Sequence, residues 1–357
     1  MLQITNDHLT SLLEPHEPPC ISLYLPTHRR HPEREADPIR YRNQLRELEA
    51  SLAQRYPKGD IKVLLAPFEA LVGNHDFWNN RTEGLAILSA GASFQVFDLQ
   101  RPVKELLVVA DSFHIKPLLR VLQSADRFQV LCLGLHGGKL FEGNRDALDP
   151  VEVSAAISAP MAHDSNRQSH KDNAHAALLT YLRPIDAAVQ AEHSKPSGLP
   201  LLLVALPEMQ HAFREASRNP ALVEAGIAIS PEALDIEALR TQAWQQFEPH
   251  YVARLGQLVG SFEAARAKGL GSNLIDDVAA AAVAGRIGTL LIEADREIPG
   301  RLDAATGKAT PADLADPEVD DLIDDIAEAV LRAKGEVVVV PTERMPGECG
   351  LAAILRY

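Results

Sequence analysis

Residues 128–143 read FQVLCLGLHGGKLFEG, and this stretch decides the fold that the sequence predicts. Two apolar runs flank the turn HGGK, a pattern that is typical of a β-hairpin. A phosphate-binding loop would need a Lys-Ser or Lys-Thr pair and then a helix, whereas Lys139 is followed by Leu-Phe in a strand. The apolar strand LPLLLVAL at 199–206 follows, with helices starting near Pro207 and Pro231. This alternation of strands and helices predicts an α/β layer.

The segment before this layer also mixes strands and helices. Strand-like runs occur at CISLYLP (20–26), GLAILSA (84–90) and SFQVFDL (93–99). Leucines spaced by three and four predict an amphipathic helix from Ile39 to Tyr56.

A second helix is predicted in the motif DSFHIKPLLRVLQSA. Asp111 or Ser112 is expected to cap it, because Pro117 is tolerated only within its first turn. Asp111 and His114 also have a spacing that suits acid–base chemistry. The motif G-x-S-x-G and a recognisable nucleophile are absent from the sequence, so the capping interpretation is favoured.

The last segment begins at GLGSN and has the same mixed character. Asn273 is predicted to cap an alanine-rich helix, which the strand IGTLLIE follows. A loop rich in Gly, Pro and Thr (299–311) precedes a helix over Val319–Ala333 and two closing strands. The sequence therefore predicts an α/β protein of three domains, with bounds at 1–125, 126–265 and 266–357.

Composition limits the classes of function. The chain has 357 residues, 46% of them hydrophobic, and a formal net charge of -14. Such a charge disfavours non-specific binding to nucleic acid. The sequence lacks any run close to the about 20 apolar residues of a membrane helix, and its start has no basic residue, so a cytoplasmic protein without membrane contact is expected. Cys20, Cys132 and Cys349 are far apart and are expected to be reduced thiols.

One local cluster of cations stands out against this acidic background. Its six members are His28, Arg29, Arg30, Arg34, Arg40 and Arg42. Arginine is suited to phosphate recognition and to stacking on bases, so this cluster is the candidate RNA-binding site. The alternative is a solvated loop in which the arginines pair with neighbouring carboxylates, namely Glu33, Glu35, Glu47 and Glu49.

A polar loop in the middle segment holds three histidines and two aspartates. These are His163, His170, His175, Asp164 and Asp172. The histidine spacing does not match the i,i+4 pair of a helical metal site, so a solvated loop is favoured over a metal site, and no cofactor is expected.

The order of several motifs resembles the bacterial branch of the archaeo-eukaryotic release factor family, which is related to Pelota. The motifs are CISLYLPTHR, GLAILSA, DSFHIKPLLR, VLCLGLHGGKLFEG, DDVAAAAVAGRIGTLLIE and GEVVVVPTERMPGECGLAAILRY. The resemblance implies an N-terminal domain that reaches the decoding region and a middle domain with an RNase H-like fold. It also implies a C-terminal α/β/α domain that resembles kink-turn-binding ribosomal proteins and contacts a translational GTPase.

The sequence departs from the family at its catalytic motif. Release factors carry Gly-Gly-Gln before the long helix of the middle domain, whereas this loop reads HDSNRQSHKDNAH (163–175). Gln168 is present, but Asn166 and Arg167 stand where the glycines would be, and their side chains would obstruct a close backbone approach. The stop-codon motif Asn-Ile-Lys-Ser is also absent from the sequence. The loop is therefore expected to anchor on RNA, with no catalytic residue, through Arg167, Gln168, His170 and Lys171.

The resemblance without these motifs implies a ribosome-binding factor that occupies the A site of idle or stalled ribosomes. Balon-like hibernation factors have this role under stress. The implied partners are ribosomal RNA and a translational GTPase such as elongation factor Tu. Two alternatives stay open: a hydrolase of peptidyl-tRNA or another RNA-linked ester that uses the loop 163–175, and a protein-interaction module that acts away from the ribosome.

Overall fold

The structure is a computed structural model, and it describes residues 6–56, 61–110, 112–161, 171–233, 235–294, 296–312 and 320–357. The chain divides into two compact units. The first contains Met1–Ser124 and Gln257–Tyr357, and the second contains Ala125–Gly256.

Helices and strands alternate along most of the described chain, so the predicted mixed α/β class is confirmed. The helices are α1 Asn6–Leu12, α2 Asp37–Arg55, α3 Ile61–Val72, α4 His75–Asn79, α5 Lys116–Leu122, α6 Ala155–Ser158, α7 Lys171–Val189, α8 Lys195–Ser197, α9 Pro207–Ala216, α10 Ile236–Ala267, α11 Ile275–Val283 and α12 Leu322–Arg332. The strands are β1 Cys20–Pro26, β2 Gly84–Ala90, β3 Ser93–Leu99, β4 Leu106–Ala110, β5 Phe128–Gly134, β6 Gly137–Gly143, β7 Leu148–Val151, β8 Leu201–Val204, β9 Leu222–Ile227, β10 Gly271–Ser272, β11 Ile287–Glu293, β12 Pro299–Leu302, β13 Ala309–Pro311, β14 Asp320–Asp321, β15 Glu336–Val340 and β16 Leu351–Leu355.

The first unit is built on separate sheets. An antiparallel sheet has the order β3-β2-β1-β4, and helices α2 and α3 pack on one side of it around Tyr41, Leu48 and Phe68. A second sheet has the order β10-β16-β11-β15, in which β11 and β15 are parallel and the other pairs are antiparallel. A small third sheet has the order β13-β12-β14.

One hydrophobic cluster of the first unit contains residues from both of its chain segments. Leu118 and Leu122 of α5 share it with Val278, Ile326 and Val339. The backbone N–H of Val339 donates to the carbonyl of Gln123 at 2.8 Å. The proposed division into three domains remains a prediction, since these two segments pack as one compact unit.

The second unit is a five-stranded sheet with helices on both faces. Its order is β7-β6-β5-β8-β9, and β5, β8 and β9 are parallel. Burial on both faces explains the continuous apolar runs of β5 and β8. On one face the ring of Phe128 stacks on Phe247 of α10 at 4.6 Å between centroids, and the other face packs against α7 and α9.

Three local predictions were wrong. Leu274, rather than Asn273, is the N-cap residue of α11, because the Asn273 side chain lies against Gly347. Ser112 does not cap α5, which begins at Lys116 with Pro117 in its first turn, and Asp111 lies outside the described residues. The predicted loop 299–311 contains the paired strands β12 and β13.

The predicted hairpin is confirmed, but its two-residue turn is Leu135 and His136 rather than HGGK, because Gly137 already pairs with Gly134 as the first residue of β6. Cys20 and Cys132 are buried free thiols, as expected, and Cys349 is half-buried. Burial raises the pKa of the Cys132 thiol to about 12.

We expect Gly137→Ala to lower the free energy of unfolding by about 2–3 kcal/mol. Gly137 has φ +112°, and a Cβ atom there would lie 2.2 Å from the Ser158 carbonyl oxygen. Gly198 is a matched control, since it has φ +67° but open space around its Cβ position. Gly198→Ala should cost only about 1 kcal/mol. Urea unfolding of both variants is the measurement, and equal losses would contradict the close approach at Gly137.

Candidate nucleic-acid interface

The candidate site lies between the end of β1 and the middle of α2. We call the six predicted residues His28, Arg29, Arg30, Arg34, Arg40 and Arg42 the arginine surface. Thr27 directly precedes the arginine surface and is buried, so it fixes the position of the chain there. The Thr27 backbone N–H donates to the Glu83 carbonyl at 3.1 Å, and its hydroxyl donates to the Thr82 carbonyl at 2.9 Å.

A buried carboxylate organises the arginine surface. Asp37, the first residue of α2, is 0% exposed. Its Oδ2 accepts a hydrogen bond from the backbone N–H of His28 at 2.8 Å, and its Oδ1 lies 2.8 Å from His28 Nδ1 and 3.6 Å from Arg40 Nη1. A carboxylate is favourable at a helix N-terminus, and a buried one requires such partners. His28 therefore has a structural role, and Arg40 is partly engaged.

Two more members of the surface are tied to the neighbouring chain. Arg29 Nε donates to Glu83 Oε1 at 3.1 Å, and both side chains are about one-third exposed. Arg34 Nη1 donates to the carbonyl of Asn79 at 3.0 Å. These contacts fix the positions of both guanidinium groups, while their remaining N–H groups can still face solvent.

The carboxylate partners differ from those that the solvated-loop alternative names. Of its four carboxylates, Glu35 forms an ion pair within the described residues, with His31 Nε2 at 2.8 Å. Asp37 and Glu83 are the partners of His28 and Arg29, and sequence reasoning missed both. Glu83 is more than fifty positions away, so local charge pairing could not reveal it.

The outermost cations of the surface are Arg30 and Arg42. Both are exposed, whereas Arg29, Arg34 and Arg40 are half-buried. Arg42 lies on α2 and has no ion-pair or hydrogen-bond partner among the described residues. One turn further, exposed Arg46 donates to Asn43 Oδ1 at 3.1 Å. The surface therefore presents exposed guanidinium groups, a class of group that binds phosphate oxygens.

The second set of predicted RNA-binding residues lies mostly outside the described residues. Arg167, Gln168 and His170 fall in the part 162–170, and Lys171 is the first residue of α7. His175, also in α7, has its Nε2 2.9 Å from Glu215 Oε2 of α9. That contact gives the histidine a partner in the fold.

The described residues that flank positions 162–170 lie at the carboxyl end of β5. The backbone N–H of Met161 donates to the carbonyl of Leu135, at the β5–β6 turn, at 2.8 Å. The hydroxyl of Tyr181 in α7 donates to the carbonyls of Gly134 at 3.0 Å and Ala159 at 3.3 Å. Tyr181 thus connects α7 to the end of β5. Its position on the half-buried side of α7 could have suggested this role from the sequence. In open α/β sheets this edge is the usual place for a functional loop.

The described residues lack the grouping of side chains that a metal site needs. In that part of the chain, His, Cys, Asp and Glu side chains form no group of three or more that could hold a metal ion. None of the helices in the same part is both long and apolar enough to cross a bilayer.

One part of the chain is similar to a known family. Residues 127–286 match Bacterial archaeo-eukaryotic release factor family 3. The resemblance predicted from the sequence is confirmed over these residues. The matched residues include the β5–β6 hairpin, the stretch HDSNRQSHKDNAH (163–175) and the helix α11.

Solved structures of related translation factors show weaker similarity. Ribosome-bound archaeal Pelota is 13% identical, with 100% of this chain and 95% of that chain covered and a TM-score of 0.40. A translation termination-like factor of S. cerevisiae is 10% identical, with 75% of both chains covered and a TM-score of 0.39. Archaeoglobus fulgidus Pelota is 12% identical, with 100% of this chain and 94% of that chain covered and a TM-score of 0.29. Similarities at this level carry no argument about function, and no curated protein matches the chain.

Proposed function

We propose that this protein is a non-catalytic ribosome-binding factor that occupies the A site of idle or stalled ribosomes. The observation that carries the proposal is the release factor family segment at 127–286, in which Asn166 and Arg167 replace the glycines of the catalytic motif. Hibernation and rescue are both consistent with such a factor.

The arginine surface supports the RNA-binding part of the proposal. The chain as a whole has a net charge of -14, so contact with ribosomal RNA requires a local concentration of cations. Arg30 and Arg42 supply exposed guanidinium groups, and the buried Asp37 fixes the start of the helix that carries Arg42. A fixed surface has less side-chain and loop entropy to lose on binding than a mobile one.

The domain roles extend the proposal to the whole chain. The first domain, 1–125, reaches the decoding region, and the middle domain, 126–265, has an RNase H-like fold. The third domain, 266–357, resembles kink-turn-binding ribosomal proteins and contacts a translational GTPase such as elongation factor Tu. A cytoplasmic location follows from these partners.

The chemistry of ester release argues for the non-catalytic assignment. Release needs a water placed beside the ester carbonyl and donors that stabilise the oxyanion. In the family, the glycine pair lets the backbone approach the end of the transfer RNA. Asn166 and Arg167 add side chains at that point, and the charge of Arg167 suits a phosphate group. We therefore infer that Arg167, Gln168, His170 and Lys171 anchor the loop on RNA.

We expect the full chain to sediment with ribosomes from starved cells and to release no peptide from them. The assay uses programmed ribosomes loaded with labelled peptidyl-tRNA, and release should stay at the level measured without the factor. A true release factor is the positive control. Release above that level that is lost in Gln168→Ala would contradict the non-catalytic assignment and favour the hydrolase.

A further inference from the structure

Four separate stretches of the chain lie close together at one edge of the sheet β10-β16-β11-β15, where its strands begin or end. The backbone N–H of Arg356, after β16, donates to the carbonyl of Arg286, before β11, at 2.8 Å. The N–H of Leu355 donates to the carbonyl of Leu270, before β10, at 2.8 Å. Glu336, the first residue of β15, pairs with Thr289 of β11. Residues near 268, 286, 334 and 356 therefore lie together at this edge.

Exposed cations are concentrated there. We call the following six exposed residues the basic edge: Arg266, Lys268, Arg286, Arg332, Lys334 and Arg356. The neighbouring carboxylates are Glu263, Glu328 and Glu336, and Glu328 pairs with Arg332 at 2.5 Å. The basic edge thus has six cations against three neighbouring glutamates, whereas the chain as a whole has a net charge of -14.

Two arginines of the basic edge are held in fixed positions. Arg356 donates from Nη1 to the Gly285 carbonyl at 3.3 Å and from Nη2 to the Ala333 carbonyl at 3.0 Å. These carbonyls follow the C-termini of α11 and α12, where a cation is favourable. Arg286 donates to the backbone oxygen of Tyr357 at 3.1 Å, and its guanidinium lies 5.9 Å from the exposed Tyr357 ring. Both residues keep further N–H donors that can contact a ligand.

Lys334 occupies a backbone conformation that favours glycine. Its φ is +58°, and it is the one non-glycine residue with positive φ among the described residues. It follows α12 in the position where helices commonly end in glycine, and Gly335 N–H closes the motif on the Val330 carbonyl at 2.8 Å. A left-handed conformation is unfavourable for lysine, and such local strain is concentrated at functional positions.

We propose that the basic edge is a second RNA-binding surface, which contacts the phosphate backbone independently of the arginine surface. The inference rests on the proposed function, because that function identifies RNA, rather than another polyanion, as the partner. The side chains of Arg266, Lys268 and Lys334 have no partner among the described residues, so their charges are available for phosphate contacts. Exposed Tyr357 beside Arg286 offers a face on which a base can stack.

The test uses fluorescence anisotropy with the full chain and a fluorescein-labelled 20-nucleotide uridine RNA, at several salt concentrations. Lys268→Glu combined with Lys334→Glu should weaken binding and flatten the salt dependence of log K by at least about 1.4, or about 0.7 for each lost phosphate contact. Lys62→Glu, at an exposed position of α3, is the matched control and should leave binding unchanged.

A third variant separates charge from folding. Lys334→Gly removes the charge and relieves the left-handed strain, so it should weaken RNA binding while raising the midpoint of thermal unfolding. If the weaker binding came only from unfolding, the midpoint of thermal unfolding would be lower than that of the wild type. That result would overturn the proposal. Unchanged binding in both variants would also overturn it.

Two further outcomes separate this inference from the ribosomal role. Binding to labelled poly-glutamate but not to the RNA would overturn the choice of RNA as the partner. RNA binding that depends on Lys268 and Lys334, in a protein that never sediments with ribosomes, would support the basic edge and refute the ribosomal role.

Discussion

Arg120→Ala is expected to lower the free energy of unfolding by about 3–5 kcal/mol, because it removes the guanidinium group that two carboxylates share in a largely buried site. Arg120 lies in α5, and its side chain is 21% exposed. Its Nε donates to Asp324 Oδ1 at 3.1 Å, and its Nη2 donates to Asp321 Oδ2 at 2.7 Å. It also donates to the carbonyls of Ala294 at 2.6 Å and Arg296 at 2.7 Å.

Arg120 connects the two chain segments of the first unit. The guanidinium belongs to the segment before residue 125, and all four of its acceptors belong to the segment after residue 257. Lys116 of the same helix adds an ion pair with Asp325 at 3.0 Å. We therefore expect the variant to loosen the packing between the two segments of the first unit as well as to lower its stability.

The loss should depend on pH. Burial raises the pKa of Asp324 to about 7, although the charge of Arg120 lowers it. A carboxyl whose pKa is raised on folding contributes stability at low pH, and that contribution is lost as the pH rises through the folded-state pKa. Without Arg120 the pKa of Asp324 rises further, so the two proteins should lose stability in parallel below about pH 7, and the variant should fall further behind the wild type as the pH rises above that value.

Arg332→Ala is the control for this prediction. Arg332 pairs with Glu328 one turn away on α12, and its side chain is 55% exposed. Such exposed pairs contribute at most about 0.5 kcal/mol. Urea unfolding at several pH values gives both numbers, and equal losses for the two variants would contradict the role assigned to Arg120.

Much of the strand pattern could be predicted from the sequence. The runs CISLYLP, GLAILSA and SFQVFDL coincide with β1, β2 and β3, because each contains several apolar residues and is bounded by turn residues. The β5–β6 hairpin was equally clear from its central glycines. These features depend on neighbouring residues, which the sequence shows directly.

Contacts between distant residues could not be predicted in the same way. Asn273 has the chemistry of a cap, but a tertiary contact with Gly347 directs its side chain elsewhere. The pairing of Arg29 with Glu83 likewise depends on how β1 and β2 align. The basic edge was missed because its six cations lie on four separate stretches of the chain.

Charge reversal at the arginine surface is expected to have the largest effect on ribosome binding. Arg30→Glu combined with Arg42→Glu should weaken binding at least about tenfold and reduce the salt dependence of log K by about 2, or about 1 for each lost phosphate contact. Both side chains are exposed, so the variant should keep the stability of the wild type to within about 0.5 kcal/mol. Lys62→Glu combined with Lys308→Glu is the matched control, because it reverses two exposed charges outside both basic surfaces.

The most direct measurement is co-sedimentation of the full chain with ribosomes from starved cells over a series of salt concentrations. We expect the wild type and the lysine control to sediment with ribosomes at low salt, and the Arg30→Glu, Arg42→Glu variant to remain in the supernatant. A wild-type protein that stays in the supernatant with ribosomes from both growing and starved cells would contradict the ribosomal role, and a double variant that sediments as the wild type does would contradict the assignment of the arginine surface.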